Sequence, residues 1–215
     1  MITTLETDSF QLGTTYIIGS YILPGELNEN INRVHNAQIN VQISNCIDVV
    51  EKINTGELIL GMIETPTFHK DVVAEEWIED EMVICSNVEL PAFIDKKELL
   101  NYKLICHHDT SPISKLIHTL FDKFDIKHQD FYSISKVGNT TASIQSVRWA
   151  RPNKEHPTIT IVSSLAIEDE VKSKRLFISR IKGHYMYHKF YIVYNKEVKM
   201  EKIEKIIQEI KAYSS

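Results

Sequence analysis

Glycine and cysteine are both scarce in this chain of 215 residues, and their scarcity excludes several kinds of protein. The seven glycines form no Gly-x-Gly-x-x-Gly and no Gly-Lys-Ser/Thr sequence, which argues against a nucleotide cradled by backbone amides. The three cysteines, Cys46, Cys85 and Cys106, stand far apart and form no Cys-x-x-Cys pair. This usage favours a reducing cytoplasm over a disulfide framework, so we expect a cytoplasmic protein.

Long apolar runs, a secretory signal and an excess of positive charge are also missing. No window approaches the ~18 apolar residues of a membrane span, and the N-terminus lacks the basic and apolar regions of a signal peptide. A formal net charge of -5 gives no basic surface for nucleic acid. With 43% hydrophobic and 25% charged residues, the composition is typical of a soluble globular protein with one or two domains.

Motifs of common enzymes and metal sites are absent as well. There is no Gly-x-Ser-x-Gly and no His-Glu-x-x-His, so we name no catalytic residue and expect no cofactor. The adjacent His107 and His108 would point to opposite sides of a strand end, and could hardly bind the same ion. His184 and His188 would lie about 13 Å apart at the rise of a strand, too far to chelate. Scattered acids are expected on a solvated face, among them Glu75, Glu76 and Asp80.

Strands alternate with helices along the first third of the chain. A short strand ends at Gly13, and apolar residues at helical spacing predict a helix over Ile18–Val34. Alternation then predicts a strand over Gln38–Ser44, followed by a helix over Cys46–Asn54. Leu58–Ile63 is a nearly continuous apolar run, as expected of a strand buried on both faces. This β-α-β-α-β order predicts an α/β protein with a parallel, doubly wound sheet.

The second half repeats this plan less regularly. Further strands are predicted at Glu81–Cys85, Leu104–His107, Phe131–Val137 and Ile159–Val162. Helices are predicted between them at Ser111–Phe124, Asn139–Trp149 and Ser164–Val171. Two closing strands and a terminal amphipathic helix are predicted at Leu176–Ile181, His184–Tyr194 and Val198–Tyr213.

Phe10–Pro24 is the most informative stretch of the chain. Thr14, Thr15 and Tyr16 are expected where the first strand stops and the N-terminus of the first helix opens. Backbone N–H groups without helical partners and the helix dipole favour negative charge there. Ligands of open α/β sheets gather at such strand ends. The stretch therefore predicts a corner that binds a small anion, although Thr14 and Thr15 could also be simple N-caps.

Polar residues of the same kind follow three other predicted strands. Asn45 is either the N-cap of the second helix or a ligand contact, and Cys46 is either an inert buried thiol or a reactive one. Asn139 and Thr140 open a helix in the second half and mirror the first corner. Two such corners facing each other would clamp a carboxylate. Ser163, at a further strand end, is expected to form a third wall.

Several short segments stand out by their order and spacing. They are Gly13-Thr-Thr-Tyr-Ile-Ile-Gly19, Leu23-Pro24, Ser44-Asn45-Cys46, Gly56-Glu-Leu58 and Ile63-Glu64, followed by the segment Val73–Ile84. Together they resemble the effector-binding domain of LysR-type transcriptional regulators, from about Phe10 to Asn195. The resemblance implies a periplasmic-binding-protein-like fold with two doubly wound subdomains and an effector site in the cleft between them. It predicts one subdomain from residues 1–86 and 188–215 and a second from residues 87–187.

The resemblance also carries expectations about the site. The predicted effector-binding residues are Thr14, Thr15, Tyr16, Ile17, Asn45, Cys46, Asn139, Thr140 and Ser163. The chain departs from the family's usual residues at Ile17, Cys46, Ile59 and Ser163. These departures bear on the identity of the effector rather than on the architecture. Peroxide-sensing members use two cysteines after the first strand of the second subdomain, where this chain has only Cys106, so no disulfide switch is expected.

Family membership further implies partners. The winged helix-turn-helix and linker helix of such regulators are not in this sequence, so the chain is expected to be the sensory half and to reach DNA only through that missing domain. A small effector, a carboxylate or another anion, is the expected ligand. A homodimer is expected, with a tetramer in the full-length protein, through the helix Ile18–Val34 and the strand after Glu57. A free-standing solute-binding protein of the same fold is the alternative, and an enzyme built on that fold is a third.

Overall fold

The structure is a computed structural model that describes residues 10–35, 39–65, 69–107 and 112–213. The chain divides into two compact units: unit 1 is Met1–Glu79 with Lys189–Ser215, and unit 2 is Asp80–His188. The corresponding boundaries predicted from the sequence are residues 86 and 187. Both observed boundaries fall inside strands, because the chain leaves unit 1 and returns to it in extended conformation.

Ten strands are assigned within the described ranges. They are β1 (Phe10–Thr14), β2 (Ile39–Ile43), β3 (Leu60–Ile63), β4 (Val72–Ser86), β5 (Phe93–Ile94), β6 (Lys103–His107), β7 (Ser133–Val137), β8 (Thr158–Ser163), β9 (Phe177–Ile181) and β10 (Met186–Asn195). The α-helices of the same ranges are α1 (Glu26–His35), α2 (Cys46–Asn54), α3 (Lys96–Leu99), α4 (Pro112–Lys123), α5 (Thr140–Arg148), α6 (Glu168–Lys172) and α7 (Met200–Ala212). This confirms the predicted α/β class. No helix of the described residues is long and apolar enough to cross a membrane.

Unit 1 is built on the strand order β2-β1-β3-β10. Strand β1 pairs in parallel with β2 and with β3, and β10 runs antiparallel to β3. Helix α2 covers one face of this sheet, since Val49 and Ile53 are fully buried against it. Gly61 permits this packing, because a Cβ atom there would lie 2.8 Å from Val49 Cγ1, 2.9 Å from Ile53 Cδ1 and 2.9 Å from Val193 Cγ2.

The predicted helix over Ile18–Val34 is wrong as a single element. A π-helical turn covers Ile18–Ile22, and the N–H of Leu23 donates to the C=O of Ile18 at 2.8 Å. The chain then turns at Pro24 and Gly25 before α1 begins. Gly25 has a φ of +86°, in the left-handed region that favours glycine. Pro24 has no N–H for a helical hydrogen bond, so the continuous helix ends here.

The terminal helix α7 is anchored to unit 1. Its predicted apolar face is confirmed, since four isoleucines on it are buried: Ile203, Ile206, Ile207 and Ile210. The indole N–H of Trp77 on β4 donates to the C=O of Ile210 at 2.7 Å. The carboxylate of Glu75 accepts from Lys211 at 2.6 Å and from the hydroxyl of Tyr194. These contacts join the two chain segments of unit 1, because these residues of β4 belong to the first segment and those of β10 and α7 belong to the second.

Unit 2 has the strand order β4-β8-β6-β7. Strand β6 pairs in parallel with β7 and with β8, whereas β4 runs antiparallel to β8 and to β9. The short elements β5 and α3 were not predicted. The predicted helix over Ser164–Val171 is divided into a 3-10 turn at Leu165–Ile167 and helix α6. The core of unit 2 lies along β4, where Val83, Ile84 and Cys85 are fully buried.

Candidate functional site

Three parallel strands of unit 1 end side by side. Thr14 of β1 lies opposite Ile43 of β2 and Met62 of β3. The backbone pairing continues one residue further, since the N–H of Ser44 donates to the C=O of Thr14 at 3.0 Å and that of Thr15 to the C=O of Met62 at 3.1 Å. The residues that follow the three strands therefore leave the sheet at one edge. We call this place the strand-end corner: Thr15, Ile17, Ser44, Cys46 and Glu64.

Glu64 occupies the backbone donor that the sequence analysis expected an effector anion to meet. Its Oε1 atom accepts a hydrogen bond from the N–H of Ile17 at 2.9 Å. The Glu64 side chain is buried, with 8% of the residue exposed. Ile17 contributes this backbone N–H rather than its side chain, which is packed in the core at 1% exposure. A carboxylate of the protein itself thus lies where the first helical turn begins.

Two hydroxyl groups of the strand-end corner lack partners within the part of the chain that the structure describes. The Oγ1 atom of Thr15 and the Oγ atom of Ser44 are buried and form no hydrogen bond there. Thr15 is 2% exposed. Neither side chain caps the following turn, since that of Thr15 has no hydrogen-bond partner among the described residues and the Thr14 hydroxyl donates to the C=O of Thr15 at 3.3 Å. The N-cap interpretation of these two threonines is wrong.

Asn45 and Cys46 begin α2, as predicted. Asn45 is its N-cap: Oδ1 accepts from the N–H of Asp48 at 2.9 Å, and Nδ2 donates to the carboxylate of Asp48 at 2.7 Å. Cys46 is buried, and burial, followed by the negative charge of Glu64, raises the pKa of its thiol. The thiol is therefore protonated at neutral pH, which favours the inert interpretation of Cys46 over the reactive one. Tyr16 lies beside the corner with its ring largely exposed.

The predicted residues of unit 2 have structural partners of their own. Asn139 caps α5, its Oδ1 accepting from the N–H of Ala142 at 2.8 Å. The C=O of Thr140 accepts from the hydroxyl of Ser143 at 2.8 Å. Ser163 is fully buried and its hydroxyl accepts from the N–H of Ala166 at 3.2 Å. Their contact with a ligand remains a prediction.

Of the two adjacent histidines that were judged unable to bind one ion, His108 and the side chain of His107 lie outside the described residues. Within the described ranges, no group of three His, Cys, Asp or Glu side chains could hold a metal ion.

Comparison with known families decides the classification of the chain. The family model for the LysR substrate binding domain matches residues 4–214. The chain belongs to the LysR substrate-binding domain family. The resemblance drawn from the sequence segments is thereby confirmed. Among curated proteins, an uncharacterized HTH-type transcriptional regulator of Escherichia coli K12, YeiE, is 30% identical over 67 residues. That match covers 31% of this chain and 23% of the regulator.

Solved structures of LysR-type regulators share the fold of this LysR substrate-binding domain. The effector binding domain of QuiR in complex with shikimate has a TM-score of 0.71 at 18% identity, covering 96% of each chain. The regulatory domain of CcmR from Synechocystis PCC6803, in complex with 2-PG, has a TM-score of 0.75 at 14% identity. That comparison covers 96% of this chain and 97% of CcmR. At these identities the likeness establishes the fold.

A buried polar cluster in unit 2 of this LysR domain was not predicted from the sequence. Asp80 was expected on a solvated face, and that prediction is wrong because its side chain is fully buried. Its carboxylate accepts from Ser164 Oγ at 2.8 Å and from the N–H of Leu165 at 3.4 Å, and Oδ2 lies 2.8 Å from His188 Nε2. Burial alone would raise the pKa of Asp80, but hydrogen bonds from His188, Ser163 and Ser164 outweigh it and lower that pKa.

A signal for this burial exists in the sequence. Asp80, Met82 and Ile84 alternate along β4 and therefore lie on the same face of the sheet. Met82 and Ile84 are core residues, so Asp80 is expected to be buried with them. Glu75 and Glu76, by contrast, lie in the part of β4 where no side chain is fully buried.

Proposed function

We propose that this chain is the effector-sensing part of a LysR-type transcriptional regulator, and that a small molecule binds at the strand-end corner. The family supports a regulatory rather than a catalytic role. The observation that carries the location is the pair of buried, unpartnered hydroxyls of Thr15 and Ser44. Leaving a buried polar group unsatisfied costs about 1–3 kcal/mol, so polar atoms of a ligand there would recover stability.

The proposed effector is a small polar molecule. QuiR and CcmR are similar in fold and have been seen with shikimate and 2-PG, respectively, which supports a ligand of that size. The anion preference expected from the sequence relied on open N–H groups at the first helical turn. The N–H of Ile17 already donates to Glu64. This donor therefore no longer supports a preference for anions. A contribution from Asn139, Thr140 and Ser163 remains part of the proposal.

We also propose that the domain forms a homodimer, with the tetramer and DNA binding belonging to the full-length regulator. The strand after Glu57, expected at the interface, is β3, which is buried and paired on both sides. Among the described strands, β2 is the edge of unit 1, and it exposes the apolar side chains of Val41 and Ile43. Ile47 of the following helix α2 is exposed as well. Exposed apolar edge strands favour association. A stable two-fold contact would bury on the order of 1,200–2,000 Å².

The alternative of a solute-binding protein is not favoured, because the matched family and the similar proteins are transcriptional regulators.

The location of the site can be tested with two variants that remove the same kind of group. Thr15→Val deletes the unpartnered hydroxyl of the corner, and Thr160→Val deletes an equally buried, unpartnered hydroxyl in the middle of β8. Both variants should be as stable as the wild type or more stable, since each removes an unsatisfied polar group.

Ligands would be identified by thermal shift with a library of small metabolites that contains carboxylates, polyols, amides and amines. We expect Thr15→Val to weaken the binding of a hit about 3- to 10-fold, the worth of one neutral hydrogen bond. Thr160→Val should leave the affinity unchanged. Equal affinities for all three proteins, or a library without any hit, would count against the proposed site.

A further inference from the structure

We propose that Glu64 sets the charge preference of the strand-end corner, so that the effector group bound there is a hydrogen-bond donor such as a hydroxyl, amide or amine, and not a carboxylate. This inference rests on the proposed function and names the chemical class of ligand group that the corner selects.

The first observation is the place that Glu64 occupies. Its buried carboxylate accepts the N–H of Ile17 at 2.9 Å. An effector carboxylate at the same donor would have to displace Glu64 or lie beside it. Displacement would leave a buried charge without its backbone donor, and close approach would bring two negative charges together in a poorly solvated place. Both routes disfavour an anionic group.

The second observation is the chemistry of the other groups in the corner. Thr15 and Ser44 present hydroxyls, which can accept as well as donate, and Cys46 presents a thiol that is protonated at neutral pH. Glu64 is the one charged side chain among the five residues that define the corner, and its charge is negative. The set therefore matches a neutral or cationic donor group.

Two substitutions separate the charge of Glu64 from its shape. Glu64→Gln keeps the length of the side chain and an Oε1 atom that can still accept from Ile17, but it removes the charge. Glu57→Gln removes one equal charge from an exposed residue of unit 1 beyond the other end of α2, where Glu57 accepts from the hydroxyl of Thr55. The second variant controls for the overall change in net charge.

Acetate and acetamide are suitable probes because they differ only in replacing a charged oxygen by an NH₂ donor. Each would be titrated at constant ionic strength into the whole chain, with the backbone amide signals of Thr15, Ile17 and Glu64 followed by NMR. In the wild type and in Glu57→Gln, we expect acetamide to move these signals and acetate to have at least a tenfold higher dissociation constant. In Glu64→Gln, we expect that difference to disappear or reverse.

Three results would overturn the inference. These are acetate binding as well as acetamide in the wild type, a preference unchanged in Glu64→Gln, and signals that neither probe moves. The outcome is separable from that of the proposed function. An effector whose binding depends on Thr15 but whose charge preference is indifferent to Glu64 would leave the function standing and remove only this inference. A probe preference that depends on Glu64, without any effector that depends on Thr15, would leave the charge preference standing and remove the proposed effector site.

Discussion

Nε2 of His188 lies 2.8 Å from Oδ2 of Asp80, and the two side chains are 11% and 0% exposed. Asp80 is the first residue of unit 2 and His188 is the last. The pair therefore joins β4 and β10 at the points where the chain enters and leaves unit 2. The hydroxyl of Ser164 binds the same carboxylate, which connects β8 to both.

Removal of this charge should destabilise unit 2. We expect Asp80→Asn to lower the free energy of unfolding by about 3–5 kcal/mol, as is typical when a buried pair loses one partner. Glu76→Gln is the matched control, because it removes one partner from the exposed pair that Glu76 forms with Lys189 on the same two strands. Urea unfolding should show a much smaller change for Glu76→Gln. Equal losses in the two variants would contradict a special role for Asp80.

The same cluster predicts a dependence on pH. The folded-state pKa of Asp80 is lowered, so its contribution is fully present above the pKa of an unfolded aspartate, about 3.9. It is lost as the pH falls through the still lower folded-state pKa. Urea unfolding between about pH 6 and pH 3 should therefore show a steeper loss of stability for the wild type than for Asp80→Asn. Parallel losses would show that this carboxyl does not contribute.

Cys46 offers a chemical reporter for the charge of Glu64. Burial raises the pKa of Cys85 to about 12, with a smaller contribution from Glu170. Burial and then Glu64 raise the pKa of Cys46. Both thiols should react with iodoacetamide far more slowly in the native protein than in the unfolded chain. Glu64→Gln should accelerate the alkylation of Cys46 but not that of Cys85, as measured by peptide mass spectrometry. Unchanged Cys46 reactivity would contradict the effect of the Glu64 charge on the Cys46 thiol.

We predict that a side chain at Gly61 would disturb the packing of the core, although the backbone conformation there is open to any residue. Its added Cβ would approach three fully buried side chains at 2.8–2.9 Å. We expect Gly61→Ala to cost about 1–3 kcal/mol, as for other overpacked cores. Gly138→Ala is the control, since a Cβ there meets nothing within 4 Å and its φ is not positive. Thermal unfolding should show little change or a slight gain for that variant.

The proposed homodimer predicts a change in mass when the β2 edge is charged. Light scattering at micromolar concentration should give twice the 24.8 kDa chain mass for the wild type. Val41→Lys should give a monomer, because it places a charge among exposed apolar side chains. Phe93→Lys alters an even more exposed apolar side chain of unit 2 and should remain dimeric. A wild-type monomer, or a dimer that Val41→Lys does not affect, would rule out this interface.

Local patterns predicted most elements of unit 1 but not the break in its first helix. The alternation around Val41 and the helical spacing of Val49, Val50 and Ile53 gave β2 and α2 within about one residue, as strong periodicity usually does. Leu23 and Leu27 kept a helical spacing across Pro24 and Gly25. The Pro-Gly pair is a turn signal that should have outweighed that spacing.

The site was harder to predict because its decisive contact is not local. Thr15 and Cys46 could be placed at strand ends by their position in the pattern. Glu64 meets Ile17 across 47 residues of sequence, and only the pairing of β1 with β3 brings them together. Spacing within one segment carries no information about that register. For the same reason the unpartnered state of the Thr15 hydroxyl could not be foreseen.

The most direct measurement is a crystal structure of the domain with its effector bound. We expect a polar atom of the ligand within about 3.5 Å of Thr15 Oγ1 or Ser44 Oγ, the outer limit of a hydrogen bond. We also expect the ligand group nearest Glu64 to be a hydrogen-bond donor. An effector located away from the strand-end corner, with both hydroxyls still unpartnered, would contradict the account.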